Sequence, residues 1–161
     1  MSVKNEKALL VIDMQENNIG TRSRFHGYPD LLIERVNERI QCADRNGIPV
    51  IYVRNRGRRN KEAFVPDFVN GLMLVSEYRL EKDRASAFAN PGLMELLKCM
   101  GVSEVELIGI DGNACVAATA LDACRLGFSV VLPVKYIGVK DRQRFVRTRE
   151  KLHKFGIRIL E

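Results

Sequence analysis

Short apolar runs alternate along this chain with segments in which apolar residues recur every three or four positions. The first run, Ala8–Ile12, is apolar throughout and lies between charged residues, as is typical of a strand buried on both faces. A second run, Val50–Val53, follows a segment with apolar residues at helical spacing, namely Leu32, Val36, Ile40 and Ala43. Because parallel strands are joined by helical crossovers, this alternation predicts a parallel sheet with helices on both faces.

The same alternation continues to the end of the chain. Further strands are predicted at Tyr78–Lys82, Val105–Ile110, Ser129–Val134 and Ile157–Leu160. Helices are predicted after an Asp30 cap, after Asn90-Pro91, over Asn113–Leu126 and over Lys140–Lys154. Right-handed crossovers then give one α/β domain over residues 1–161, a three-layer, doubly wound, mostly parallel six-stranded sheet of Rossmann-like type.

Composition excludes several classes of protein. The chain has 161 residues, of which 46% are apolar and 29% charged, as in an ordinary globular domain. No run approaches the roughly 20 apolar residues that span a bilayer, and the N-terminal stretch lacks the apolar core of a signal peptide. We therefore expect a cytoplasmic protein with no membrane partner.

The numbers and spacing of cysteines and histidines limit the kinds of catalytic and metal site that the chain can form. The four cysteines form no C-x-x-C pair, so the sequence predicts free thiols and no zinc knuckle or thioredoxin-type site. Only two histidines are present, which disfavours a His-containing triad or a His-rich metal site. We predict no metal and no cofactor, and expect thiol chemistry to use a base other than histidine.

Three side chains fall at or near the carboxyl ends of predicted strands, where doubly wound folds bind ligands. Asp13 follows the first strand, where an acid suits catalysis, acceptance of a phosphate group, metal binding or simple capping of a loop. Lys82 ends the third strand, and an isolated lysine is usually a solvated charge. Cys115 begins a helix, where the dipole favours thiolate and backbone N–H groups suit an oxyanion. The alternative for a free cysteine is a packing residue, which we predict for Cys42, Cys99 and Cys124.

Together, the segments around these residues resemble the isochorismatase-like cysteine hydrolases. The acid stands in Val11-Ile12-Asp13-Met14-Gln15, and the lysine precedes Ser86-Ala87-Phe88. The cysteine opens the segment C-V-x-x-T-A-x-D-A at residues 115–123. One such block is weak evidence, but three in the family's order are specific, and the family shares the fold predicted above.

The resemblance implies an Asp-Lys-Cys triad. In it, Asp13 takes the thiol proton and later activates water, and Lys82 keeps that carboxylate ionised. Cys115 attacks a carbonyl-type carbon and forms a thioester. The resemblance also implies an oxyanion hole built from the backbone N–H groups of Asp111 and Cys115, with a non-proline cis peptide at Ile110-Asp111.

Departures from the family pattern concern the substrate more than the chemistry. Glu16-Asn17-Asn18 replaces a frequent N-D-F, Gly112 stands where Thr is common, and no Asp-x-His metal ligands occur near Arg54–Lys61. The leading hypothesis is a metal-independent hydrolase that cleaves a C–N bond of a small amide or carbamoyl-type substrate. Phe88 is a candidate substrate contact.

Two hypotheses from other classes remain open. A noncatalytic binding or scaffold protein would keep the fold without turnover, and a phosphate-binding module would use the basic loop. The second lacks a G-x-x-x-x-G-K-[ST] sequence. A working triad predicts one fast-alkylating cysteine near neutral pH, which a scaffold does not. By analogy with the family, we also expect a homo-oligomer.

The net charge of +6 comes largely from two basic segments. One contains Arg54, Arg56, Arg58, Arg59 and Lys61, and the other runs from Lys140 to Lys154. A solvated surface is the simplest interpretation. Arg54 follows the second strand, however, so it is a candidate contact for an anionic substrate. The basic runs carry no aromatic platform or nucleic-acid-binding motif, so we predict a small-molecule substrate and no nucleic acid.

Overall fold

A seven-stranded parallel sheet forms the centre of the computed structural model, which describes residues 6–56 and 64–161. Its strands are β1 Lys7–Ile12, β2 Val50–Asn55, β3 Arg79–Lys82, β4 Glu104–Ile110, β5 Ser129–Pro133, β6 Ile137–Gly138 and β7 Arg158–Leu160. The helices are α1 Glu16–Ile19, α2 Leu32–Arg45, α3 Pro91–Met100, α4 Cys115–Arg125 and α5 Arg142–Lys154. The strand order is β3-β2-β1-β4-β5-β7, with β6 beside β4, so the predicted doubly wound α/β fold is confirmed.

Two local predictions differ from the structure. The sheet has a seventh strand, because the two-residue β6 pairs with the last residues of β4, beyond the part that pairs with β5. A strand of two residues has no periodicity that a sequence pattern can reveal. Asp30 does not cap α2, whose N-cap position is Leu31. Asn90 does cap α3, because its side chain accepts the Gly92 N–H at 2.8 Å.

Apolar layers cover both faces of the sheet. Leu10 and Ile12 of β1 belong to the layer that contains α3, α4 and α5, whereas Leu9 and Val11 belong to the layer that contains α2. The central strand is therefore buried on both faces, as its continuous apolar run predicts. In the described ranges, no helix combines the length and apolarity needed to cross a membrane.

Gly109 brings the end of β4 against the end of β1. Its φ is +111°, and a Cβ there would lie 2.2 Å from the Ile12 carbonyl oxygen. We predict that Gly109→Ala lowers the free energy of unfolding by about 3 kcal/mol or more, because strained φ and crowding against backbone add together. Urea denaturation measures this loss.

Gly127→Ala is the matched control. Gly127 also has a positive φ, +94°, but a Cβ there would meet nothing within 4 Å. Its substitution isolates the backbone cost, expected to be about 1–2 kcal/mol. Equal losses for the two variants would contradict a contribution from crowding against β1.

Candidate active site

Asp13 lies at the carboxyl edge of the sheet, directly after β1 and between the ends of β2 and β4. Its φ is +54°, the only positive φ at a non-glycine residue in the described ranges. Its N–H donates to the Val53 carbonyl at 3.0 Å, and its carbonyl accepts from the Gln15 N–H at 2.8 Å and from Asn18 Nδ2 at 3.0 Å. These bonds hold an otherwise costly backbone conformation, with the carboxylate 4% exposed.

Gln15, the polar residue that ends the first block, has a structural role. The side chain is fully buried, and its Nε2 donates to the carbonyls of Asn55 at 3.1 Å and Pro66 at 3.0 Å. Its Oε1 accepts the Asn55 N–H at 2.7 Å. The segment after Asp13 is therefore tied to the end of β2, a role that the sequence analysis did not assign.

Lys82 ends β3, and its side chain is 0% exposed. Nζ donates to Asp13 Oδ2 at 3.1 Å and to the Arg84 carbonyl at 3.0 Å, and it lies 3.5 Å from Cys115 Sγ. These three partners match the three N–H donors of an ammonium group. The structure thus brings together the three residues predicted for the triad.

Cys115 is the first residue of α4 and is half-buried. The turn before it is closed by the Asp111 carbonyl, which accepts from the N–H groups of Ala114 at 3.0 Å and Val116 at 3.1 Å. Thr119 Oγ1, one turn into the helix, donates to the Cys115 carbonyl at 2.7 Å. The cysteine is therefore held by a hydrogen-bonded turn before it and by Thr119 after it.

The second and third sequence blocks contact each other. Thr119 Oγ1 also accepts the Ala87 N–H at 3.0 Å, and Ser86 Oγ accepts the Phe88 N–H at 3.2 Å in the short 3₁₀ turn Ala87–Ala89. Phe88 packs against the core and stacks on Phe128, with ring centroids 5.9 Å apart. These contacts account for the packing of Phe88, and its contact with substrate stays a prediction.

Burial is the largest influence on the pKa values of Asp13 and Cys115. Burial raises the pKa of Asp13, although the charge of Lys82 lowers it. Burial, followed by the Asp13 charge, raises the pKa of the Cys115 thiol to about 12, and Lys82 offsets this only in part. Lys82 therefore favours the thiolate, as its charge predicts, but the cost of removing the thiolate from water is larger, so the net shift of the thiol pKa is upward.

The peptide bond between Ile110 and Asp111 is cis, as the resemblance implies. Among the described residues, no hydrogen bond uses the N–H of Asp111 or of Cys115. The intervening N–H groups of Gly112 and Ala114 both have backbone partners. The two N–H groups predicted as oxyanion donors are thus available to a ligand oxygen.

Arg54 follows Val53, whose carbonyl accepts the Asp13 N–H, and its guanidinium forms ion pairs with two acidic side chains. Nη2 lies 3.0 Å from Glu81 Oε1, and Nη1 lies 3.6 Å from Asp67 Oδ1. The guanidinium also lies over the Phe68 ring, and Arg56 shares Glu81 at 2.9 Å. The other basic residues of this loop, Arg58, Arg59 and Lys61, lie outside the described residues.

The remaining cysteines divide into two kinds. Cys42 and Cys99 are exposed, so the prediction that they are packing residues is wrong. Both lie on the solvent-facing sides of amphipathic helices, Cys42 in α2 and Cys99 in α3. The sequence analysis did not assign them to that side. Cys124 packs against the core, as predicted, and its thiol donates to the Phe155 carbonyl at 3.1 Å.

Comparison with known proteins identifies the family. The family model of the isochorismatase domain matches residues 7–152, which include all three blocks. The chain belongs to the isochorismatase family of hydrolases. A probable inactive nicotinamidase of Arabidopsis thaliana is 30% identical over 146 residues, covering 75% of this chain and 74% of that protein. The streptothricin hydrolase of Streptomyces noursei is 31% identical over 134 residues, covering 79% of this chain and 48% of that protein. This chain thus spans about half the length of that hydrolase.

A solved pyrazinamidase structure shows the same architecture. The pyrazinamidase of Pyrococcus horikoshii, in complex with zinc, superposes with a TM-score of 0.78 at 28% identity, covering 97% of this chain and 99% of that one. In this chain both histidines are exposed, and the described residues place no three His, Cys, Asp or Glu side chains where they could hold a metal. The described residues therefore do not fit a zinc site.

Proposed function

We propose that this isochorismatase-family hydrolase is a metal-independent cysteine amidohydrolase acting on a small amide or carbamoyl-type substrate. The observation that carries the proposal is the cluster of the buried Asp13 and Lys82 with the half-buried Cys115. Lys82 Nζ lies 3.1 Å from the carboxylate and 3.5 Å from the thiol, so one ammonium contacts both groups that exchange the proton. A protonated thiol beside a buried carboxylate suits proton transfer coupled to nucleophilic attack.

The proposed reaction begins with attack of Cys115 Sγ on the substrate carbonyl carbon as Asp13 accepts the thiol proton. The resulting oxyanion accepts hydrogen bonds from the N–H groups of Asp111 and Cys115. Asp13 then gives its proton to the departing nitrogen, so ammonia or an amine leaves and a thioester remains. Water attacks the thioester and loses its proton to Asp13. Collapse of this second tetrahedral species returns the proton to sulfur and releases the acid.

The raised pKa of Asp13 supports its role as the base. A carboxylate with an ordinary pKa is a weak base, whereas burial strengthens Asp13 as a base and the contact with Lys82 favours its ionised form. Lys82 Nζ holds the carboxylate by a hydrogen bond. Its hydrogen bond to the Arg84 carbonyl fixes the ammonium in turn.

A panel of small amides and carbamoyl compounds, assayed for ammonia release with and without EDTA, tests this function. We expect at least one compound to be hydrolysed, with no loss of rate on chelation. Activity that EDTA removes and zinc restores would overturn metal independence.

A noncatalytic binding or scaffold protein is the second candidate function. A specific observation favours it, since the relative at 30% identity is itself described as probably inactive. Absence of ammonia release together with an unreactive Cys115 would support this alternative over the amidohydrolase. A cytoplasmic homo-oligomer without nucleic-acid or membrane partners stays our prediction, and light scattering tests the assembly.

Arg54 remains our candidate for contact with an anionic substrate. Because Glu81 and Asp67 already balance its charge, we predict only a two- to threefold fall in kcat/KM for an anionic amide in Arg54→Ala, about the scale of an exposed ion pair. The same kcat/KM should decrease with added salt. Arg79→Ala is the control, since Arg79 lies over the same Phe68 ring but begins β3, at the opposite end of the strand. If Arg54→Ala leaves kcat/KM unchanged and a neutral amide is preferred at every salt concentration, Arg54 does not contact substrate and serves only in its ion pairs.

A further inference from the structure

We infer that Tyr28, acting through the side chain of Asp111, is a positioning residue for the oxyanion hole. We call residues 111–115 the oxyanion loop. The inference rests on the proposed function, because it concerns the backbone donors that would stabilise the oxyanion. It assigns a role to a tyrosine that none of the three sequence blocks contains.

The carboxylate of Asp111 joins the oxyanion loop to two distant parts of the chain. Its Oδ2 accepts the Tyr28 hydroxyl at 3.1 Å and the Lys140 N–H at 2.7 Å. Its Oδ1 accepts the Asn113 N–H at 2.8 Å, within the loop. Tyr28 precedes α2 and Lys140 precedes α5, so the carboxylate connects the loop to the layers on both sides of the sheet.

The backbone of Asp111 is held at the same time as its side chain. Its carbonyl accepts the N–H groups of Ala114 and Val116, which form the turn into α4. With carbonyl and carboxylate both bonded, rotation about the bonds at the Asp111 Cα is restricted on both sides. The direction of its N–H, and the position of Cys115 four residues later, are therefore coupled to the carboxylate contacts.

Packing aims the Tyr28 hydroxyl at this carboxylate. Tyr28 is 8% exposed and makes an edge-to-face contact with Phe25, with ring centroids 4.9 Å apart. Burial, followed by the charge of Asp111, raises the pKa of Tyr28, so the hydroxyl stays a donor across the working pH range. A buried ring with its single polar atom on Asp111 is a rigid support for the loop.

Such a support matters only for reactions that develop an oxyanion. Oxyanion donors act over about 2.7–3.1 Å, so a small displacement of the loop weakens them steeply. Attack by the same thiol on an alkyl iodide forms no oxyanion and needs neither N–H group. The two reactions of Cys115 therefore separate positioning of the hole from reactivity of the thiol.

The test compares acylation by p-nitrophenyl acetate with alkylation by iodoacetamide, each followed at Cys115 by mass spectrometry. In the first, an Sγ–acyl bond forms and nitrophenolate leaves, and in the second an Sγ–alkyl bond forms and iodide leaves. We expect Tyr28→Phe to slow acylation about tenfold, less than the roughly 10²–10³ for deleting a donor itself. Alkylation should change less than twofold.

Tyr52→Phe is the matched control. Tyr52 is also buried, and its hydroxyl donates to the Met73 carbonyl at 2.7 Å and accepts the Val75 N–H at 3.0 Å, away from Asp111. It should lower the melting temperature without changing the ratio of the two rates. Asp111→Asn is an independent variant, because an amide offers one acceptor oxygen where three donors converge, and it should lower the same ratio.

Three outcomes would overturn the inference. In the first, Tyr28→Phe is acylated at the parent rate. In the second, both reactions slow equally, as general loosening of the site predicts. In the third, Tyr52→Phe lowers the ratio as much as Tyr28→Phe. If wild-type Cys115 undergoes neither reaction, the proposed function itself fails, and that result is distinct from the other three.

Discussion

Cys115→Ala should abolish hydrolysis, with a loss of at least about 10⁴-fold, because it removes the sulfur that forms the thioester. The fold should be retained, since the thiol is half-buried and the helix start is held by backbone bonds and Thr119. Cys124→Ala is the control within the same helix, and its thiol lies against the Phe155 carbonyl instead. Turnover of Cys115→Ala at the parent rate would disprove the assignment.

The pH dependence of alkylation tests the proton transfer behind this assignment. A thiol with a pKa of about 12 that reacts unaided would alkylate ten times faster for each pH unit up to that value. With Asp13 accepting the proton, the rate should instead level off once the carboxylate is ionised. Because burial raises the pKa of Asp13, this levelling should begin above the ordinary range of an aspartate.

Asp13→Asn supplies the comparison for that profile. The amide cannot take the proton, so the plateau should disappear and the tenfold rise for each pH unit should return. Cys42 and Cys99 are exposed and can be labelled in the same digest as internal references. A plateau that survives in Asp13→Asn would show that another group accepts the thiol proton.

Features set by local pattern could be predicted from the sequence. The buried strand β1 follows from a continuous apolar run, and the approach of Asp13 and Cys115 follows from the rule that parallel strands present their carboxyl ends at one edge. Lys82 required the resemblance, because an isolated lysine has no local signal. The buried ammonium between the other two groups is what the structure adds.

Features that depend on long-range contacts or burial could not be predicted. The Tyr28–Asp111 hydrogen bond joins residues 83 positions apart, and the Arg54–Glu81 pair joins residues 27 apart. The sign of the thiol pKa shift depends on how far desolvation outweighs the helix start and Lys82, which requires the packed environment. A sequence pattern specifies the type of a residue but not how far folding removes its side chain from water.

Lys82→Met should be the most destabilising of the single substitutions at the site. It leaves the Asp13 carboxylate buried without its cation, and breaking a buried pair in this way costs about 3–5 kcal/mol of unfolding free energy. Hydrolysis should also be lost, because the base is no longer held ionised. Urea denaturation at pH 7 measures the first effect, and ammonia release measures the second.

The double variant Asp13→Asn/Lys82→Met separates charge burial from packing. With no buried charge left, it should recover most of the unfolding free energy at pH 7, to within about 1–2 kcal/mol of the parent, while remaining inactive. If the double variant is no more stable than Lys82→Met, the loss comes from packing of the lysine stem and not from the unpaired carboxylate.

The pH dependence of the free energy of unfolding of Lys82→Met shows whether the Asp13 charge causes its loss of stability. The charge of Lys82 lowers the pKa of Asp13, so removing it raises the folded-state pKa further above the unfolded value. A group with a raised folded-state pKa contributes stability when protonated, below the unfolded pKa, and loses it as pH rises through the folded pKa. The deficit of Lys82→Met relative to the double variant should therefore be largest at neutral pH and shrink as the medium is acidified. A deficit that is constant with pH would show that the Asp13 charge is not its cause.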